Sequence, residues 1–140
     1  MHVSFILTVI PAVLTSAFPM KTNSIAAYPD TAVIAKRNCF DGGARWGAGR
    51  PYAINFATRA CNEALVGTYR PNDIRAKCYN LDSTKKVDFS LRLISNNGNR
   101  NIGAAECYDG LRKEIEGCDR GGRTRYGNWE YTGDPNDGQC

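Results

Sequence analysis

Histidine is almost missing: the 140-residue chain has one, His2. A single imidazole at the very start leaves no Ser-His-Asp or Cys-His nucleophile system and no His-based zinc site. It also excludes the chemistry of secreted guanyl-specific ribonucleases, which use a histidine as acid or base. No apolar run reaches 18 residues, so no membrane-spanning helix is predicted. No Cys-x-x-Cys pair occurs, which argues against a zinc ribbon or a thioredoxin-type redox site. Hydrophobic content of 42% and charged content of 23% are those of a folded domain, and the length allows one.

The chain begins with features of a processed leader. Phe5 to Leu14 is an apolar run broken only by Thr8 and Pro11, too short to span a bilayer but suited to a signal-peptide core. Ala17, with Thr15 two residues before it, forms a small-residue cleavage site, so 1–17 reads as a signal peptide. Residues 18–37 contain no Cys and no Gly and end in the dibasic pair Lys36-Arg37, which reads as a propeptide with its processing site. The expected mature domain is 38–140. Removing Lys21, Lys36, Arg37 and Asp30 from 18 cations and 14 acids leaves 15 and 13, a net charge of +2. So small and evenly spread a charge is no nucleic-acid footprint.

All six cysteines lie after the dibasic pair: Cys39, Cys61, Cys78, Cys107, Cys118 and Cys140. An even count in a short secreted chain predicts three disulfides, with fifteen pairings open. Secretion to an extracellular, oxidising setting follows. No Asn-x-Ser/Thr sequon lies in 38–140, so N-glycosylation is not expected.

Periodicity places the elements. Phe40 to Trp46 is short and Gly-rich and reads as an edge strand. Pro51 to Val66 reads as a helix, with Pro in the first turn, small residues at helical spacing and Gly67 as its stop. Arg75 to Leu81 and the alternating Val87, Phe89, Leu91, Leu93 form an antiparallel hairpin about Asp82-Ser83-Thr84. Asn101 is expected to cap a second helix, whose buried face is Ala104, Cys107, Tyr108, Leu111 and Ile115 and whose end is Gly117. Arg123 to Thr132 favours strand, and Asp134 to Gly138 reads as a terminal turn. The predicted class is α+β: an antiparallel-rich sheet of four to five strands packed with two main helices, held by three disulfides.

Cys107-Tyr108-Asp109-Gly110-Leu111, Glu114, Gly117-Cys118, Gly121-Gly122, Trp129, Tyr131, Asp134-Pro135 and Cys140 resemble a family of small secreted fungal proteins that includes a lectin-like, cytotoxic glycan-binding protein of a mushroom. Cys61-Asn62-Glu63, Gly67-Thr68-Tyr69 and the strand around Val87-Asp88-Phe89 fit the same pattern, so the likeness covers nearly all of 39–140. The resemblance implies an αβα sandwich. It implies a homodimer in which two sheets join into one, and binding of a fucosylated GalNAc-GlcNAc type of glycan. It carries over no ligand-contacting residue. The segment ending in Lys36-Arg37 departs from the mushroom pattern and leaves the sugar specificity open.

A sugar site needs a flat aromatic face and planar polar groups that match paired hydroxyls. Tyr126, Asn128, Trp129, Glu130, Tyr131, Asp134 and Asn136 supply both types within a short segment, with the alternative that Trp129 and Tyr131 are core and Asp134 and Asn136 only turn formers. Trp46, flanked by Arg45 in a Gly-rich stretch, is expected as an exposed aromatic. Without histidine, catalysis would fall to paired carboxylates. Among Asp109, Glu114, Glu116 and Glu130 no pair is forced together, so no enzyme, cofactor or metal is expected. The leading expectation is a secreted carbohydrate-binding protein acting on cell-surface glycans or glycoproteins as a toxin or effector. The alternatives are a fungal effector that binds a host protein and a His-free hydrolase.

Overall fold

A computed structural model describes residues 37–140. The expected signal peptide, its Ala17 site, and the propeptide up to Lys36 lie outside the described residues. Two helices, a four-stranded sheet and a two-stranded sheet follow in an α+β order. Helix α1 is Arg50–Glu63 and is followed by β1, Gly67–Tyr69. The hairpin strands are β2, Ile74–Asn80, and β3, Lys85–Leu93. Strand β4, Arg100–Ile102, leads into helix α2, Ala104–Gly117. Strands β5, Gly122–Tyr126, and β6, Trp129–Asp137, close the chain. The larger sheet runs β2-β3-β6-β5, antiparallel throughout, and β1 pairs with β4.

Strand alternation builds the core. Val87, Phe89, Leu91 and Leu93 pair in register with Pro135, Gly133, Tyr131 and Trp129, so all eight share one face. The two helices pack on that face. Helix α1 contributes the small buried residues Ala53, Ala57, Ala60 and Cys61. Helix α2 contributes Cys107, Gly110, Leu111, Glu114 and Ile115, an i, i+3, i+4, i+7, i+8 stripe. On the opposite face β2, β3, β5 and β6 present mainly polar side chains, with no helix over it among the described residues.

The disulfides pair Cys39 with Cys118, Cys61 with Cys107, and Cys78 with Cys140. The first ties the start of the domain to the end of α2. The second staples α1 to α2, and the third fastens the last residue to β2.

Four expectations are corrected. Phe40 to Trp46 is not a strand: one bridge joins Cys39 to Gly122, then the chain bends through Gly43, at φ +87°, into a 3-10 turn at Gly47–Gly49. Helix α1 stops at Glu63, and Gly67 opens β1 instead of ending the helix; Ala60 O accepts from both Ala64 N and Leu65 N as the chain turns away. Asn101 lies in β4, and the residue before α2 is Gly103. Asp134 to Asp137 is strand rather than turn. Pro135 is tolerated there because β5 ends opposite Gly133, leaving β6 unpaired on that side.

Candidate functional site

Gly110 sets the geometry of a cleft between α2 and the β5–β6 hairpin. A Cβ at this position would collide with the Tyr131 ring. Glycine therefore lets the middle of α2 lie directly on β6. Beyond this contact β5 and β6 join through a two-residue loop, Gly127-Asn128, with Gly127 at φ +57°, as a type II′ turn requires at its first central residue. The Asn128 carbonyl accepts from Ile94 N at 2.9 Å, which fixes the loop to the end of β3.

Between helix and hairpin lies a cleft of about 450 Å³, lined by Glu106, Asp109 and Lys113 of α2 and by Tyr126 and Gly127 of the hairpin. A second depression of about 330 Å³ shares Glu106 and is lined by Asn99, Arg100, Asn101 and Asn128. The two depressions share Glu106 in their linings and are together termed the groove. The helical residues at 106, 109 and 113 share a face by their i, i+3, i+7 spacing. The Arg100 Nε is buried and has no hydrogen-bond acceptor among the described residues.

Tyr126 is half-buried in this groove. Lys113 Nζ stands 4.4 Å from its ring centroid, and the Tyr131 ring lies 5.9 Å away on a tilt. Burial, and then the Glu114 carboxylate, push its hydroxyl above the usual tyrosine range. Glu114 lies beneath it, fully buried. One of its oxygens accepts from Thr124 Oγ1 at 3.0 Å while Oε1 is unpaired. Desolvation raises the carboxyl to about 6, against the lowering effects of Thr124, Tyr126, Arg37 and Lys113.

The residues proposed from sequence do not form one constellation. Tyr126 lines the groove, and Trp129 and Tyr131 lend only small parts of themselves to it. Both are 2% exposed and belong to the core. Trp46, expected as an exposed aromatic, is fully buried, and its Nε1 donates to Cys118 O at 2.8 Å. Arg45 sits apart beside Gly47, Arg50 and Asp119. Asp134 and Asn136 lie on the opposite sheet face. There Asn136 Nδ2 donates to Asp88 Oδ2 at 3.0 Å, and Lys86 Nζ reaches the same oxygen at 3.2 Å. Asp134 stands directly across from Asp88 in the register. Its carboxyl is raised by burial and, to a lesser degree, by Asp88.

Of the groove's polar residues the sequence reading named Asn128, and it gave no ligand role to Glu106, Asp109, Lys113, Asn99 or Asn101. Glu106, Asp109 and Lys113 were findable from their helical spacing. Asn99 was findable only as a loop amide and Asn101 only as part of the three-residue strand β4. Tyr52 in the first turn of α1, 58% exposed, was also missed.

Carboxylates, amides and cations around a half-buried tyrosine suit a ligand rich in hydroxyl groups, since each planar group can bond two neighbouring hydroxyls. Fold and groove together define a small disulfide-bridged binding domain. Residues 53–140 match the family model of glycan binding domain Y3, and the chain belongs to that family. The match supports a carbohydrate-binding function. No curated protein matches the chain closely enough to count as a relative. Among the described residues, no helix is long and apolar enough to cross a membrane, and no cluster of acidic, His or Cys side chains is suited to a metal ion.

Proposed function

We propose that the protein is a secreted lectin-like module that binds cell-surface glycans through the groove between α2 and the β5–β6 hairpin, without catalysis. The observation that carries this reading is the pair of adjoining depressions that share Glu106, one lined by Asp109 and Lys113 and the other by Asn101, Asn128 and Arg100, whose Nε is buried without an acceptor. Lys113 covers the Tyr126 ring, so hydrogen bonding rather than stacking dominates unless a sugar displaces the lysine. Three disulfides in so small a domain are consistent with an extracellular setting.

A homodimer fits the same reading. Strand β2 pairs only with β3 in the sheet order, and its Ile74 and Ala76 are exposed. A second copy joined along that edge would extend the sheet and present two grooves. Linked sites raise avidity by about 10² to 10⁴ without new contacts.

The test is a glycan array probed with the folded, disulfide-intact protein, including fucosylated GalNAc-GlcNAc glycans. Binding to a defined glycan class, competed by free sugar and little changed by salt, supports the proposal. Absence of glycan binding, with capture of a host protein that sugar does not displace, would put the effector reading in its place.

A further inference from the structure

Glu114 is the only fully buried carboxylate among the described residues, and the groove chemistry makes no use of it. A buried carboxylate with an unpaired oxygen is costly unless a cation or donor answers it. One lies a single hydroxyl away. Asn38 N donates to Thr124 Oγ1 at 3.2 Å, and Thr124 Oγ1 donates to Glu114 Oε2 at 3.0 Å. Gly122 leaves the space in which they meet: a Cβ there would fall 2.6 Å from Glu114 Oε2 and 2.8 Å from Asn38 O.

Asn38 is also the residue that follows the dibasic pair. Residues 37–39 are exposed, so a protease can reach the Arg37–Asn38 bond. The chain beyond the bond is held independently of anything before it. Asn38 O accepts from Arg123 N and Phe40 N donates to Gly121 O, both at 2.9 Å, and Cys39 is bridged to Cys118.

We propose that the chain is cut between Arg37 and Asn38, and that Glu114 receives the α-ammonium group so created, locking 38–40 onto β5. A dibasic-specific endoprotease hydrolyses the bond with one water. The C–N bond breaks, Arg37 keeps the carboxylate, and the Asn38 amine takes the proton that the new carboxyl group releases. The amide offered one N–H, already used by Thr124. The ammonium offers three, enough to keep Thr124 and turn another donor to Glu114. In the uncut chain the cations acting on Glu114 are Arg37 and, on its own helix, Lys113; Thr124 and Tyr126 face it from β5. Cutting removes Arg37 with the leader and supplies a charge at the next residue. Tyr126 belongs to both this pocket and the groove, so the lock reaches the groove, but the pair itself does not depend on glycan binding.

The experiment compares the uncut secreted chain with the same protein after limited digestion, its new terminus established by N-terminal sequencing. Carboxyl-carbon NMR follows the titration of Glu114, and thermal melting is recorded at pH 7. On cutting, the Glu114 midpoint is expected to fall by about one pH unit or more. The melting temperature is expected to rise by about 4 °C. Carbamylation of the α-amino group, which removes its charge, reverses both changes; reductive dimethylation, which keeps the charge, largely preserves them. These chemical arms need no variant, so a misfolded Glu114→Gln protein leaves the test intact. A Glu114 midpoint that ignores cutting, or is the same with the carbamylated terminus, overturns the proposal. So does a secreted protein that resists cutting after Arg37.

Discussion

Gly110 of α2 lies directly on the ring of Tyr131 of β6, with no room for a Cβ between them. Helix propensity alone would favour alanine at this position by about 0.5–1 kcal/mol. The contact reverses that preference. Gly110→Ala is expected to destabilise the domain by about 1–3 kcal/mol through overpacking and to widen the groove. Gly103→Ala is the control, since nothing lies within 4 Å of a Cβ there and its φ is −91°. Chemical denaturation of both variants checks the difference.

Glu114 predicts a pH dependence of the uncut chain. Its folded-state carboxyl is raised from 4.5 to about 6, so the folded form binds the proton more tightly than the unfolded form. Its stabilising contribution is complete below about pH 4.5 and is lost as pH rises through about 6. The loss is at most about 2 kcal/mol, less what residual solvent screening removes. Melting curves of wild type and Glu114→Gln between pH 4.5 and 7 should diverge by this amount, with the Gln variant flatter.

The Cys61–Cys107 bridge joins the two helices behind the groove. Replacing both cysteines with alanine is expected to cost roughly 2–4 kcal/mol, mainly by freeing the unfolded chain. Urea unfolding of the double variant measures it. A variant as stable as wild type would contradict the stapling role.

The β2 edge carries the dimer proposal. Ile74 is 61% exposed at one end of that strand. Ile74→Lys places a charge where a second copy would pair, a substitution that discourages edge-to-edge association. Light scattering should show the wild type as a dimer and this variant as a monomer that stays folded, its melting temperature lowered only by the lost association.

Much of the fold was legible because local pattern and tertiary role agreed. The alternation from Val87 to Leu93 named both a strand and its buried face, and the apolar stripe of α2 did the same. Where composition and tertiary pairing conflict, composition misleads. Asp134-Pro135-Asn136-Asp137 looks like a turn, yet pairing with 85–88 of β3 holds it extended. Trp46 looks exposed among glycines, yet the Cys39–Cys118 bridge and the Cys118 carbonyl draw it inside. The three-residue strands β1 and β4 are too short to show any period.

The site divides by strand parity. Trp129 and Tyr131 point to the helices, so Asp134 and Asn136 point away. That split was readable once the strand was known to continue through Pro135. The juxtaposition of Tyr126 with Asp109 and Lys113 was not, because it depends on Gly110 meeting Tyr131 across separate elements.

The central claim is the location of the glycan site, and affinity for an array-identified glycan tests it most directly. Wild type is to be compared with Asp109→Asn, Asn128→Ala and the opposite-face variant Asn136→Ala, each shown to be folded. Loss of a bidentate acceptor or amide in the groove should weaken binding by about tenfold or more, with Asn136→Ala unchanged. Full binding by both groove variants, or loss confined to Asn136→Ala, would contradict the account and move the site to the open face of the sheet.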